Sequence, residues 1–145
     1  MENFVADING LPQLPKDLED EIYISIEENK NVDTDAVNIG DIYTWIPCND
    51  KLQNWCKENI SKDVYWAIQV ITDDLPIHED ADTEVKFLYV IQGKDAVTRF
   101  YDKDFKELNS QVLELREWYI LNTSVFHNVT DVNKTRIAIT GRILP

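Results

Sequence analysis

The sequence predicts a mainly β fold in which two sheets pack as a roll or a sandwich. Short segments rich in Ile, Val, Tyr, Trp and Thr alternate with clusters of Asp, Asn, Gly and Lys, the pattern of strands joined by turns. A single segment has clear helical periodicity, whereas a parallel α/β sheet would need a helix after each strand. The 145 residues contain no repeat and no Pro/Gly-rich linker, so we expect one domain over residues 1–145.

The expected elements follow this pattern along the chain. Residues 1–20 are predicted to form an irregular lead. In residues 49–60, Leu52, Trp55, Cys56 and Asn59 recur at helical spacing after an Asn/Asp cap, so we expect one short helix packed outside a sheet. The predicted strands are residues 21–26, 42–46, 64–71, 85–91, 96–101, 112–115, 118–121, 125–129 and 135–144.

The charge of the chain bears on its partners. With 27 acidic and 14 basic residues, the net charge is −13, which repels phosphate backbones and anionic membranes. We therefore expect neither direct nucleic-acid binding nor a membrane partner. The acidic surface is either a solvated surface or a means of attracting a basic protein or cationic substrate, and the sequence does not separate the two.

The N-terminal residues and the two cysteines indicate the cellular compartment of the protein. The first residues lack the basic patch and apolar stretch of a secretory signal, which favours a cytoplasmic protein. Cys48 and Cys56 lie eight positions apart, without the spacing of a zinc knuckle. We expect both to be reduced, buried thiols.

The two histidines of the chain, His78 and His127, are the candidate metal ligands. In an extended segment, residues i and i+2 point to the same side, so His78 and Asp80 can face one interior together. Residues 72–76, Thr-Asp-Asp-Leu-Pro, predict a loop that delivers His78. Two imidazoles and one carboxylate form the three-ligand face that holds Fe(II) in non-haem oxygenases.

Arg136 opens a strand with strict alternation and could serve this site. If Arg136 points inward, its guanidinium is a bidentate clamp for a carboxylate. In the opposite orientation, the isoleucines at 137, 139 and 143 face the core, and Arg136 and Arg142 face water. The strand pattern favours neither orientation, nor does it distinguish Arg136 from Arg142 as the inward arginine.

The order His78-x-Asp80, then His127 and then Arg136 nine residues later resembles the 2-oxoglutarate and Fe(II)-dependent dioxygenase family over residues 64–143. The resemblance implies a double-stranded β-helix, a jelly-roll or cupin-like barrel, with Fe(II) bound by His78, Asp80 and His127. It also implies that Arg136 pairs with the distal carboxylate of 2-oxoglutarate and that Tyr89 hydrogen-bonds this co-substrate. Small bacterial and phage members are similarly short.

The resemblance implies a hydroxylase that uses O2, acts on a protein side chain or a small metabolite, and releases succinate and CO2. The spacing is similar to that of the aspartyl/asparaginyl β-hydroxylase branch, whose members typically lack the ligand carboxylate, and a prolyl hydroxylase-like member is the other choice. Two alternatives remain open. One is a cupin-like metal-binding protein without oxygenase activity, and the other is a metal-free acidic β-sandwich that acts as an interaction module.

Overall fold

A computed structural model describes residues 4–8, 10–29, 42–79 and 85–143 of the chain. The strands are β1 (Val5–Asp7), β2 (Tyr43–Pro47), β3 (Val64–Ile71), β4 (Val85–Gln92), β5 (Val97–Tyr101), β6 (Glu107–Val112), β7 (Trp118–Asn122), β8 (Phe126–Thr130) and β9 (Arg136–Ile143). The helices are α1 (Lys16–Glu28) and α2 (Asp50–Asn59).

The described strands form two antiparallel sheets. The larger has the order β1-β7-β4-β9-β3-β2, and the smaller has the order β6-β5-β8. Neighbours within each sheet are often distant in sequence, because the chain passes repeatedly from one sheet to the other. This is the mainly β jelly-roll architecture that the sequence predicted.

The larger sheet is buried on both faces. Its outer face carries Trp66, Ile68, Tyr89 and Ile139, which pack with residues of α1 and α2 in one apolar cluster. Side chains alternate along a strand, so the next residues on β4 and β9 point the other way. There, Leu88, Val90 and Ala138 pack with Phe100 of the smaller sheet. The inner face of the larger sheet therefore lines the space between the two sheets.

Helix α2 confirms the predicted helix. Its N-cap is Asn49, whose side chain accepts a hydrogen bond from the backbone N–H of Leu52 at 3.0 Å. Leu52 and Cys56 are fully buried against the outer face of the larger sheet. The cap and the apolar stripe thus fix both the start of the helix and its packed side.

The strand predicted for residues 21–26 is wrong, because these residues lie within α1. The alternation of Ile22, Ile24 and Ile26 suggested a strand, but Leu18, Ile22 and Ile26 also recur every four residues. Ile22 is fully buried against the outer face, whereas Ile24 is exposed. The irregular lead expected through residue 20 is also wrong in part, since it contains β1 and the start of α1.

The strand predicted for residues 112–115 is displaced, since β6 lies at Glu107–Val112. Strand β6 is an edge strand paired only with β5 among the described residues, and Glu107, Leu108, Ser110 and Val112 are exposed. An exposed strand lacks the apolar alternation on which the prediction relied. The remaining predicted strands are confirmed with boundaries that shift by one residue at most.

Two further expectations concern cysteines and membranes. Cys48 and Cys56 are buried free thiols, as predicted. Burial raises the pKa of both thiols, that of Cys56 to about 12, so they are poor nucleophiles. In the described part of the chain, no helix has the length and apolar character that a membrane crossing requires.

Gly141 of β9 provides a test of the outer-face packing. A Cβ at this position would lie 2.6 Å from both Trp66 Cζ3 and Val64 Cγ1. We predict that Gly141→Ala lowers the free energy of unfolding by about 1–3 kcal/mol, because the buried indole would have to move. Urea denaturation measures this change. Ser110→Ala, on the exposed strand β6, is the control and should change stability by less than about 0.5 kcal/mol. Equal stability of the two variants would contradict the packing described.

Candidate metal centre

The chain leaves β3 at Ile71 and crosses to the smaller sheet, where it runs beside β8. The backbone N–H of Leu75 donates to the carbonyl of Val129 at 2.9 Å. Three residues later, His78 N–H donates to His127 O at 2.9 Å and His127 N–H donates to His78 O at 2.7 Å. This reciprocal pair forms an antiparallel bridge between the histidines. The predicted loop therefore delivers His78 directly to the edge of β8.

The bridge places the two imidazoles side by side. Residues opposite each other in an antiparallel pair project to the same side of the sheet. The ring centres of His78 and His127 are 4.4 Å apart, with the ring planes inclined by 58°. Two imidazoles that bind one ion at right angles, with nitrogens about 2.1 Å from it, have ring centres roughly 4.6 Å apart. The spacing fits adjacent ligands of one metal ion.

Each imidazole is held in the same tautomer by its own loop. Nδ1 of His78 lies 2.8 Å from the carbonyl oxygen of Pro76, and Nδ1 of His127 lies 2.7 Å from that of Val125. A carbonyl oxygen can only accept, so the proton of each neutral ring resides on Nδ1. Nε2 then carries the lone pair in both rings. Histidine ligands of metal sites have this arrangement, with the second nitrogen donating to a carbonyl or carboxylate.

The histidines face the space between the sheets. On β8, His127 is paired with Phe100 of β5, a fully buried residue of the inner cluster. The side chain of His127 is itself buried, and that of His78 is partly exposed. One side of the pair is therefore shielded by apolar side chains, and the other is closer to solvent.

Asp80, the predicted third ligand, lies outside the described residues. No group of three or more His, Cys, Asp or Glu side chains that could hold a metal is found within residues 4–8, 10–29, 42–79 and 85–143. The structure thus brings together His78 and His127, and the contribution of Asp80 stays a prediction.

Arg136 has the inward orientation. It is the first residue of β9, only 2% of it is exposed, and it lies opposite Ile71 of β3. The alternative orientation correctly buried Ile137 and Ile139, which pack in the outer cluster, but it wrongly exposed Arg136 to water. Both sides of β9 are buried. Arg142 lies on the same side of β9 but is partly exposed, so Arg136 is the buried arginine.

The guanidinium of Arg136 has few partners for so buried a cation. Among the described residues, Nη1 donates to Thr98 Oγ1 at 3.1 Å, Nε has no hydrogen-bond partner, and no carboxylate pairs with the group. Burial lowers the pKa of Arg136 to about 10, with an opposing effect from Tyr43, so the group stays charged at neutral pH. A buried charge without a counter-ion is strongly unfavourable. The chemistry of the group therefore calls for an anion.

The position of Arg136 relates it to the histidines through β5. Its partner Thr98 and the His127 neighbour Phe100 are two residues apart on the same face of that strand. Such residues are about 6.6 Å apart along a strand. Arg136 on the larger sheet therefore contacts β5 two residues from the position that pairs with His127 on the smaller sheet.

Other polar side chains line the same interior. Gln69 of β3 and Tyr43 of β2 are buried, and the Gln69 amide donates to the Tyr43 hydroxyl at 3.4 Å. Thr140 of β9 is 1% exposed, and its Oγ1 has no hydrogen-bond partner among the described residues. The sequence did not predict Thr98, Tyr43, Gln69 or Thr140 as residues of this site. Only Gln69 carried a signal, because it interrupts an otherwise apolar strand.

Tyr89 does not lie in this site, which corrects the prediction that it hydrogen-bonds the co-substrate. Tyr89 lies on β4 opposite Ile139 of β9, and both side chains point to the outer face of the larger sheet. Its ring packs on Trp118 with centres 4.5 Å apart, and its hydroxyl accepts a hydrogen bond from Leu14 N–H at 3.1 Å. The alternation of β4 directs Leu88 and Val90 inward instead.

Comparisons with known proteins support the fold. No family model and no curated protein matches the sequence. Hydroxypropylphosphonic acid epoxidase from S. wedmorenis matches the structure with a TM-score of 0.50 and 15% identity, over 70% of this chain and 51% of that chain. Fe(II)-HppE with the alternative substrate (S)-1-HPP matches with a TM-score of 0.52 and 15% identity, over 75% and 54% of the two chains.

Vicilin from hazelnut, Corylus avellana, is a further match, with a TM-score of 0.51 and 8% identity over 78% of this chain and 32% of that chain. This chain spans about half the length of the two epoxidase chains that it matches. At these identities the likeness concerns the fold alone. The predicted jelly-roll, cupin-like fold is confirmed.

The ligand assignment makes a direct prediction. Anaerobic equilibrium dialysis with Fe(II) should show binding by the parent, no measurable binding by His127→Ala or His78→Ala, and weakened binding by Asp80→Asn. Each change removes one donor from a three-ligand set. The matched control is Glu79→Gln, which removes a negative charge between His78 and Asp80 and should bind Fe(II) like the parent. Parent-like binding by His127→Ala would refute the site.

Proposed function

We propose that the protein is an Fe(II)- and 2-oxoglutarate-dependent dioxygenase. The observation that carries this proposal is the buried Arg136, a cation without a counter-ion among the described residues, in the same interior as two imidazoles whose tautomer suits metal binding. A metal-binding protein of similar fold without a carboxylate co-substrate has no need for such a cation. The family resemblance of residues 64–143 provides independent support.

The donor set fits iron. Two neutral imidazoles and one carboxylate are the ligands of non-haem Fe(II) sites that leave positions open for a co-substrate and O2. His78 and His127 would supply the nitrogens, and we propose Asp80 as the carboxylate. A thiolate-rich zinc site does not fit, since the two cysteines lie in the outer cluster under the helices. When bound, the iron supplies the activation of O2 that couples oxidative decarboxylation of 2-oxoglutarate to substrate hydroxylation.

The residues of this chain would position the co-substrate. The planar guanidinium of Arg136 suits bidentate binding of the distal carboxylate of 2-oxoglutarate. Thr98 Oγ1 accepts from Nη1 and so orients the guanidinium. The apolar side chains of Ile71, Ala96 and Val129 pack at the Arg136 end of this interior and would exclude water from it. A dry surrounding strengthens the attraction between the carboxylate and the cation.

The proposed reaction consumes 2-oxoglutarate, O2 and a substrate C–H group, and gives succinate, CO2 and the hydroxylated substrate. We propose a protein side chain as the substrate and a small metabolite as the second candidate. The net charge of −13 would favour a basic protein segment through long-range attraction. Succinate release that depends on the added substrate is the assay for both candidates.

Co-substrate binding tests the role of Arg136. In the anaerobic Fe(II)-loaded protein, we predict that Arg136→Met weakens 2-oxoglutarate binding at least about 30-fold, the loss expected on removing one partner of a buried charge pair worth about 2 kcal/mol. Fe(II) affinity should be unchanged. The iron absorption spectrum reports the titration. Arg142→Met is the matched control from the same side of β9 and should bind 2-oxoglutarate within about threefold of the parent.

If Arg136→Met and Arg142→Met bind 2-oxoglutarate like the parent, the dioxygenase proposal fails. A parent that binds Fe(II) but responds to no 2-oxoglutarate would favour the cupin-like non-oxygenase. A parent that binds no metal would favour the metal-free β-sandwich.

Although Arg136→Met should weaken 2-oxoglutarate binding, it should stabilise the protein without ligand. Without ligand, Arg136 is a buried charge that lacks a counter-ion among the described residues, and methionine fills a similar volume without desolvation of a charge. We predict that Arg136→Met raises the free energy of unfolding of the metal-free protein by about 1 kcal/mol or more. Urea denaturation in the presence of a chelator measures it. A large loss of stability would indicate that Arg136 serves the fold rather than a ligand.

A further inference from the structure

The corner that follows β4 lies directly against the backbone of Arg136. Gly93 has a φ of +87°, a conformation that side chains disfavour, and its carbonyl accepts a hydrogen bond from Ala96 N–H at 3.3 Å. This closes the tight turn into β5. The turn therefore connects the strand beside Arg136 with the strand that carries Thr98.

The approach of Gly93 to Arg136 leaves no room for a side chain. A Cβ at position 93 would lie 2.7 Å from Arg136 Cα, 3.0 Å from its Cβ and 3.2 Å from its backbone nitrogen. These atoms belong to the backbone and to the root of the side chain, so they cannot move aside by a rotamer change. A side chain at position 93 therefore requires the turn and the start of β9 to move apart.

Gln92 contacts the backbone of the residue that precedes Arg136. Its side-chain amide donates to the carbonyl of Thr135 at 2.8 Å, and the β4–β9 register shifts between Val90 and Gln92. The irregular pairing brings the end of β4 close to residues 135 and 136. The far end of the Arg136 side chain, in contrast, has only the hydrogen bond to Thr98 among the described residues.

We infer that the Gln92–Gly93 corner positions Arg136 for the distal carboxylate of the co-substrate. The position of the guanidinium depends on the position of the Arg136 Cα atom, and this corner fixes the position of that atom. Binding geometry of this kind is sensitive to displacements of about 1 Å. The inference rests on the proposed function, in which Arg136 binds 2-oxoglutarate.

The test compares two 2-oxo acids on the anaerobic Fe(II)-loaded protein. Both 2-oxoglutarate and 2-oxopentanoate have the same five-carbon chain and the same chelating end, but 2-oxopentanoate lacks the distal carboxylate. We expect the parent to prefer 2-oxoglutarate by about 30-fold or more, and Gly93→Ala to reduce this preference to below about fivefold. The affinities for Fe(II) and for 2-oxopentanoate should stay at the parent values.

Gly10→Ala is the matched control. Gly10 has a φ of +89°, so the substitution introduces the same backbone strain, but nothing lies within 4 Å of the added Cβ. This variant should keep the parent preference. General destabilisation would affect both glycine variants alike and would weaken the binding of both acids, so the ratio of the two affinities isolates the position of Arg136.

A second variant covers the case in which Gly93→Ala does not fold. Gln92→Leu removes the hydrogen bond to Thr135 without adding a Cβ at position 93, and it should also reduce the preference for 2-oxoglutarate. If the folded variants of this corner keep the parent preference, the positioning role is wrong and the proposed function stands. A parent without any preference overturns the proposed function and this inference together.

Discussion

The two backbone hydrogen bonds between His78 and His127 are the constraint on which the candidate site depends. They join the loop after β3 to the edge of β8, so that residues separated by 49 positions in sequence become direct neighbours. An antiparallel bridge also sets the direction of the side chains, since both must project to the same side. The two Nδ1 hydrogen bonds then fix the tautomer. The spacing and orientation of the two imidazoles are thus set by the backbone as well as by the side chains.

The second constraint on the site is the burial of a cation, Arg136, on the inner face of β9. The isoleucines on the outer face of β9 pack against the helices, and this apolar burial stabilises the fold. The stabilisation offsets the unfavourable burial of Arg136 on the other face. Buried polar groups without partners are rare in folded proteins, and Arg136 Nε and Thr140 Oγ1, which have none among the described residues, both lie on the inner face of one strand. These open positions support the proposal that a ligand completes the hydrogen bonds of this interior.

The sequence predicted the jelly-roll architecture and most strands, because β3, β4, β5, β7, β8 and β9 carry buried faces with clear apolar patterns. It failed at α1, where Ile22, Ile24 and Ile26 satisfy the strand and helix periods together, and at β6, where an exposed edge has no pattern. For the site, the residue types and their order indicated His78, His127 and Arg136. The orientation of Arg136 was undecidable because both faces of β9 are buried, and Tyr89 was misplaced because β4 is also buried on both faces.

We propose that His78 and His127 bind one iron ion through their Nε2 atoms. Crystals grown anaerobically with Fe(II) test it most directly, because anomalous scattering at the iron edge locates the metal without assumptions about its ligands. We predict one iron peak about 2.1 Å from Nε2 of both histidines. An iron bound elsewhere, or bound by only one of the two imidazoles, would contradict it.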